Sequence, residues 1–212
     1  MAERLQRETI PLRKISDFKS KLTGGGARPN LFEVVLAFPT LVSPVNENEV
    51  LQKSRFLVKA AALPAQNIAA IDVPFRGRTF KVAGDRTIDT WTVTIINDES
   101  FNLRRAMEEW TEQIAKLDNN LGATSPGSYM TNAVVYQLGR GATASSRNNN
   151  GAANAVLAQY EFVDIFPTNV SQIDVSYDSS DTLEEFTVEF QVQSINILAP
   201  GISASAAPPV DG

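Results

Sequence analysis

The side chains that most often do covalent or metal chemistry are absent, because the 212 residues include no cysteine and no histidine. Thiolate and imidazole metal sites, cysteine nucleophiles and Ser-His-Asp triads are therefore excluded. Carboxylate and lysine chemistry remain, and four places have spacing worth weighing. Asp178, Asp181, Glu184 and Glu185 lie close enough in sequence to hold a hard cation such as calcium, but they match no EF-hand spacing. Residues 177–181 read instead as a turn between two strands, with solvated acids. Glu108 and Glu109 form a carboxylate pair on a helix face that should meet water, not substrate. Gly24, Gly25 and Gly26 have no strand before them and no Gly-Lys-Ser/Thr after them, so they read as a linker and not a phosphate cradle. Arg76, Arg78, Lys81 and Arg86 are the densest basic group of the body, yet Asp72, Asp85 and Asp89 interleave with them. That mixture favours structural ion pairs over a phosphate-binding surface. No cofactor, no metal and no enzyme activity are expected.

The elements that would position these groups are mostly strands. Residues 31–38 and 56–61 are apolar and bounded by prolines or polar residues. Trp91, Val93 and Ile95 alternate with Thr90, Thr92 and Thr94, the period-two pattern of a sheet with one buried face. Tyr160 and Phe162 alternate with Gln159 and Glu161, and Ile173, Val175 and Tyr177 alternate with Gln172, Asp174 and Ser176. The longest signal runs from 183 to 197. Phe186, Val188, Phe190 and Val192 point one way; Thr187, Glu189, Gln191 and Gln193 point the other. The apolar parity then changes to Ile195 and Ile197, which predicts a bulge or bend at Gln193–Ser194. One segment is helical: Leu103, Met107, Trp110, Ile114 and Leu117 form a single stripe, with Asp98 or Ser100 as its expected cap. Many strands and one amphipathic helix predict a mainly β, two-sheet sandwich or barrel with one flanking helix.

Three segments have little to bury: an arm over residues 1–29, a polar insertion over 139–154, and a tail over 199–212. The β domain spans 30–198 and includes a long proline-bounded loop at 39–55. The arm is basic. Residues 1–28 carry seven basic and three acidic groups, whereas the rest carry twelve basic and twenty-one acidic ones. No Lys or Arg follows Arg147, while nine acids do. The arm is thus expected to dock on the acidic C-terminal half of an adjacent subunit. Scattered charge at the N-terminus argues against a signal peptide. No run approaches the ~18–20 apolar residues that span a bilayer, so no membrane partner is expected. Polar sheet faces with outreaching arms suit a self-assembling ring, in which exposed strand edges become interfaces.

A particular order of motifs carries a resemblance. Ala27-Arg28-Pro29-Asn30-Leu31-Phe32 is followed by Ala62-Leu63-Pro64 and Val82-Ala83-Gly84-Asp85-Arg86-Thr87. Then come Asp89-Thr90-Trp91-Thr92-Val93-Thr94, Asn97-Asp98-Glu99 and Phe166-Pro167-Thr168-Asn169-Val170. Over residues 27–38, 56–138 and 156–192 the chain resembles the tail tube proteins of contractile-tailed, T-even-like bacteriophages. The resemblance implies six-membered rings stacked into a tube inside a contractile sheath, with the inner sheets of neighbours joined around a channel. It implies self-association, and as partners the sheath, tape-measure, baseplate and tail terminator proteins, with phage DNA passing through unbound by sequence. It implies a place in the virion tail after assembly in the host cytoplasm. The alternative is the tube of a related contractile injection or type VI secretion system that carries protein effectors.

Within that reading three groups stand out. Thr187, Glu189, Gln191 and Gln193 are the lumen candidates, since a face without Lys or Arg would not retain a polyanion. Pro44, Asn46, Glu47, Asn48 and Glu49 are candidates for contacts between stacked rings. Gly84 is expected at positive φ in a tight turn beside Asp85, aiming Arg86 at a carboxylate.

Overall fold

The computed structural model describes residues 14–22, 26–42, 47–142 and 154–198. Along the chain run α1 (Ile15–Lys21), β1 (Phe32–Leu36), α2 (Glu47–Leu57), β2 (Val58–Ala61), β3 (Gln66–Phe75) and β4 (Arg78–Ile88). They are followed by β5 (Trp91–Ile96), α3 (Asn102–Ile114), α4 (Pro126–Tyr129), β6 (Thr131–Ala142), β7 (Asn154–Val170), β8 (Glu185–Gln191) and β9 (Ser194–Leu198).

Alternation in these strands builds two sheets that share β7. Its first half pairs antiparallel with β6 and β9, and β6 pairs in turn with β1. Its second half pairs with β8, which continues through β5 to β2. The crossing falls at Asp164, which adopts a φ of 54° and donates its N–H to Asn132 Oδ1 at 3.1 Å. The β6–β7 register shifts at the same place, so a bulge bends the strand from one sheet into the other. The inner faces meet in one core. Trp91 from β5 stacks on Phe162 from β7, with centroids 4.4 Å apart, and both are fully buried. The α3 stripe of Leu103, Ala106, Met107 and Trp110 closes this core, and Trp110 Nε1 donates to the Tyr129 carbonyl at 2.7 Å.

The mainly β, two-sheet expectation holds, and the parity change at Gln193–Ser194 is a change of sheet. β8 stays in the second sheet, Gln193 donates its N–H to the Val163 carbonyl at 3.3 Å, and β9 joins the first sheet beside β7. Other expectations need correction. The 39–55 segment is not one long loop, because α2 begins at Glu47. Val50 and Ser54, one turn apart, are fully buried there, which the bounding prolines obscured. α3 is therefore not the sole helix. Its N-cap is Phe101, at a φ of 54° and without a side-chain cap bond, so neither Asp98 nor Ser100 caps it. Leu117 lies beyond the helix and is exposed. Residues 171–184 form no strand, and Val175 and Tyr177 face solvent. The N-terminal arm contains helix α1. β6 runs on to Ala142 and β7 starts at Asn154, so only 143–153 of the expected insertion lie between strands, outside the described residues. The 199–212 tail also lies outside them. No helix among the described residues is long and apolar enough to cross a membrane.

Candidate assembly interface

The sequence 66–88 folds locally because Arg76 and Gly77 both take positive φ, 46° and 79°. Two consecutive positive φ values are the signature of a type I′ turn, whose twist matches antiparallel strands. The resulting β3–β4 hairpin continues the β2–β5 pair, through bonds from Ala62 N–H to the Thr92 carbonyl and from Asp89 N–H to the Ala65 carbonyl, each 3.2 Å. Beyond that root nothing among the described residues covers it. Every residue of β3 is exposed, and β4 is exposed apart from half-buried Gly84 and Ile88.

The two hairpin faces differ in chemistry. Ile71 pairs with Val82 and Val73 with Phe80, and alternation puts Phe75 on the same side. Phe75 and Phe80 are 65% and 67% exposed, so this apolar row lacks a partner among the described residues. The opposite face carries the Lys81–Asp72 ion pair at 3.0 Å. A two-stranded hairpin of this length is marginal in water by itself. An exposed apolar row on it marks an interaction surface.

Gly84 does not occupy a turn, which corrects the expectation for that residue. It sits within β4 in a bulge, where the register passes from Ile68–Arg86 to Ala70–Ala83 and Gly84 and Asp85 together oppose Ala69. Its φ is not positive. A Cβ there would lie 3.0 Å from Ile71 Cγ1 and 3.1 Å from the Ala69 carbonyl oxygen, so close backbone approach calls for glycine. Arg86 donates to Gln66 Oε1 across the hairpin and not to a carboxylate, and Asp85 is exposed.

The lumen candidates Thr187, Glu189 and Gln191 lie on the outward face of β8, alternating with buried Phe186, Val188 and Phe190. Thr187 pairs with Thr94 and Glu189 with Thr92, giving a polar wall across two strands. Lys59 at the edge of this sheet is held by Glu185 at 2.6 Å. Gln193 is past the strand end. Gln191 and Gln193 share a cleft of about 470 Å³ with Arg86 and Thr87, which brings the hairpin root beside the wall.

Of the candidates for contacts between rings, Pro44 and Asn46 lie outside the described residues. Glu47, Asn48 and Glu49 are helical residues in the first turn of α2, not loop. Glu49 pairs with Lys53 at 2.8 Å, and Lys53 reaches on to Asp98 Oδ2 at 2.6 Å and Ser100 Oγ at 2.7 Å. The hydrogen bonds to Asp98 and Glu49 raise the Lys53 pKa. Burial acts to raise Asp98, but its bonds with Lys53 and Ser100 outweigh that and hold the carboxyl below its usual value. The group clamps α2 to the approach to α3. Asp178, Asp181, Glu184 and Glu185 do not converge: among the described residues no three acids form a cation site.

Sequence reasoning missed the hairpin. Its signal was legible: Ile71, Val73 and Phe75 alternate toward Arg76-Gly77, and Phe80 and Val82 alternate away.

Comparison with known proteins places this geometry. A family model described as phage tail tube protein matches residues 27–197. The tail tube protein gp19 of Enterobacteria phage T4 is 33% identical over 166 residues, covering 78% of this chain and 88% of that protein. Its counterpart from Enterobacteria phage T6 matches equally in identity and extent. Among solved structures, a chain of the anti-feeding prophage baseplate, six-fold symmetrised, superposes with a TM-score of 0.56 at 12% identity. The match covers 83% of this chain and 97% of that one. A chain of an extracellular contractile injection system sheath–tube complex in the extended state gives 0.50 at 11% identity, over 85% and 97%. At these identities the structural likeness speaks for the fold.

Proposed function

We infer the function from membership: this chain belongs to the phage tail tube protein family, and it is a structural protein of a contractile phage tail. Its subunits form six-membered rings that stack into the inner tube of the virion. The observation that carries this mechanism is the β3–β4 hairpin, whose apolar row of Ile71, Val73, Phe75, Phe80 and Val82 is exposed and has no cover among the described residues. Laid against the next subunit, the row is buried and the β2–β5 sheet is prolonged around the ring, so that neighbouring sheets form one wall.

The channel side of that wall is the outward face of β5 and β8. Thr92, Thr94, Thr187, Glu189 and Gln191 give it hydroxyl, amide and carboxylate groups. Each Lys or Arg contact with DNA releases counterions and adds affinity, which would slow ejection. A wall of this composition lets the genome pass without holding it. Sheath, baseplate, terminator and tape-measure proteins are the partners of the assembled tube, and assembly takes place in the host cytoplasm. The phage reading is preferred over a secretion-system tube because the relatives of 33% identity are phage tail tube proteins.

The test is to replace Phe75 and Phe80 with Asp. Both lie outside the core, so the subunit should stay folded and melt as the unmodified chain does, while rings and tubes disappear. Tubes of normal yield from this variant would overturn the hairpin as the ring-forming element.

A further inference from the structure

α1 precedes the residues that match the family, which begin at 27, and nothing in the fold explains it. Its local logic is complete. Asp17 Oδ2 accepts the Lys14 N–H at 3.1 Å, closing the first turn, and Leu22 N–H bonds back to the Phe18 carbonyl at 3.0 Å. Yet none of its residues is buried. Ile15, Phe18 and Leu22 recur at helical spacing and are 76%, 64% and 44% exposed, with Lys14, Lys19 and Lys21 beside them. A seven-residue helix of roughly 10 Å does not persist alone in water, so this one is built to dock.

Another surface on the chain carries the opposite pattern. The 171–184 connection between β7 and β8 exposes Val175, Tyr177 and Leu183. Asp174, Asp178, Asp181 and Glu184 are interspersed with them along the chain, and no Lys or Arg occurs anywhere in that stretch. The hairpin is a poorer seat for α1, because its tip is basic, with Arg76 and Arg78.

We propose that α1 is a clasp that docks on the 171–184 surface of a second copy of this chain, apolar stripe against Val175, Tyr177 and Leu183, and lysines against the acids. The proposal rests on the tube reading and adds to it a contact made by a helix that precedes the matched family span. Opposite charges speed the encounter, and buried apolar contacts hold it.

Two experiments on the full chain test it. Lys19→Glu with Lys21→Glu, or Asp178→Lys with Asp181→Lys, should each slow assembly by about tenfold at low salt and much less at high salt. Combining all four should restore the rate, which general misfolding would not allow. Since the chain has no cysteine, Phe18→Cys chains can also be mixed with Tyr177→Cys chains and the assembled tubes oxidised. A disulfide-linked dimer joining the two kinds of chain is the expected product. Tubes that form normally yet give no such dimer, or charge variants without rescue, would overturn the clasp and leave the tube reading intact. An unmodified chain that forms no rings, even with a preassembled baseplate supplied as nucleus, would overturn both.

Discussion

The indole of Trp91 stacks on the ring of Phe162 at a centroid distance of 4.4 Å and an interplanar angle of 14°, one residue from each sheet. Phe190 leans on the same indole at 5.4 Å and on Trp110 at 5.9 Å, so sheet, sheet and α3 meet through four rings. These rings lie in the buried core, which the exposed hairpin does not join. Phe162→Ala should therefore destabilise the subunit by about 3–5 kcal/mol, the usual cost of emptying a large aromatic site. Urea unfolding of the non-assembling Phe75→Asp/Phe80→Asp subunit measures this, and a loss below about 1 kcal/mol would contradict the bridging role.

The Lys53–Asp98 clamp makes a pH prediction whose sign follows from the two shifts. Asp98 is depressed, so its contribution is present above the unfolded value of about 3.9 and is lost as pH falls through the lower folded value. Lys53 is raised, so its contribution is present below about 10.4 and is lost as pH rises through the higher folded value. Asp98→Asn should flatten the acid limb of the melting-temperature profile. An acid limb identical to that of the unmodified subunit would contradict the assignment.

Gly122 admits no side chain, since a Cβ there would overlap the Ile114 carbonyl. The loop after α3 folds back onto the helix, with Ala123 N–H bonded to the Gln113 carbonyl at 3.0 Å. Gly122→Ala should cost about 1–3 kcal/mol, as overpacking does. Thermal melting of the subunit reads this directly, and an unchanged melting temperature would contradict the close approach.

Gly84→Ala should act elsewhere. The added methyl presses on the Ala69 carbonyl and Ile71 at the hairpin bulge, so the concentration needed for assembly should rise while core stability changes by less than about 0.5 kcal/mol. Light scattering against concentration checks it. Assembly at the unmodified concentration would show that the bulge geometry is dispensable.

Much of this organisation was legible because it rests on period. Phe186, Val188 and Phe190 are buried where alternation places them, and the parity change at Gln193–Ser194 marks a real crossing between sheets. Leu103, Met107 and Trp110 line the inner face of α3 as their spacing requires. α2 escaped notice because only Val50 and Ser54 show its buried side among polar neighbours, and Ser54 reads as polar surface until its hydroxyl is seen bonded to the Leu51 carbonyl at 2.7 Å. Residues 171–177 alternate like a strand but have no partner strand, and alternation without a ladder builds nothing. Gly84 misled for a related reason. Glycine answers both to positive φ and to close approach, and sequence does not separate the two.

The proposed lumen face can be tested chemically. Glu189→Cys or Gln191→Cys in assembled tubes should react with a small maleimide but not with one carried on a globular protein, while Tyr177→Cys in the unassembled subunit reacts with both. Equal labelling of Glu189→Cys by both reagents in intact tubes would put that face on the outside.

The proposed function depends above all on ring closure and stacking by this subunit. Negative-stain electron microscopy of the purified chain over a range of concentrations tests it most directly. Hollow, six-fold end views and tubes that lengthen with concentration are the expected result. Particles that stay single subunits at every concentration, even when a preassembled baseplate is supplied as nucleus, would contradict it.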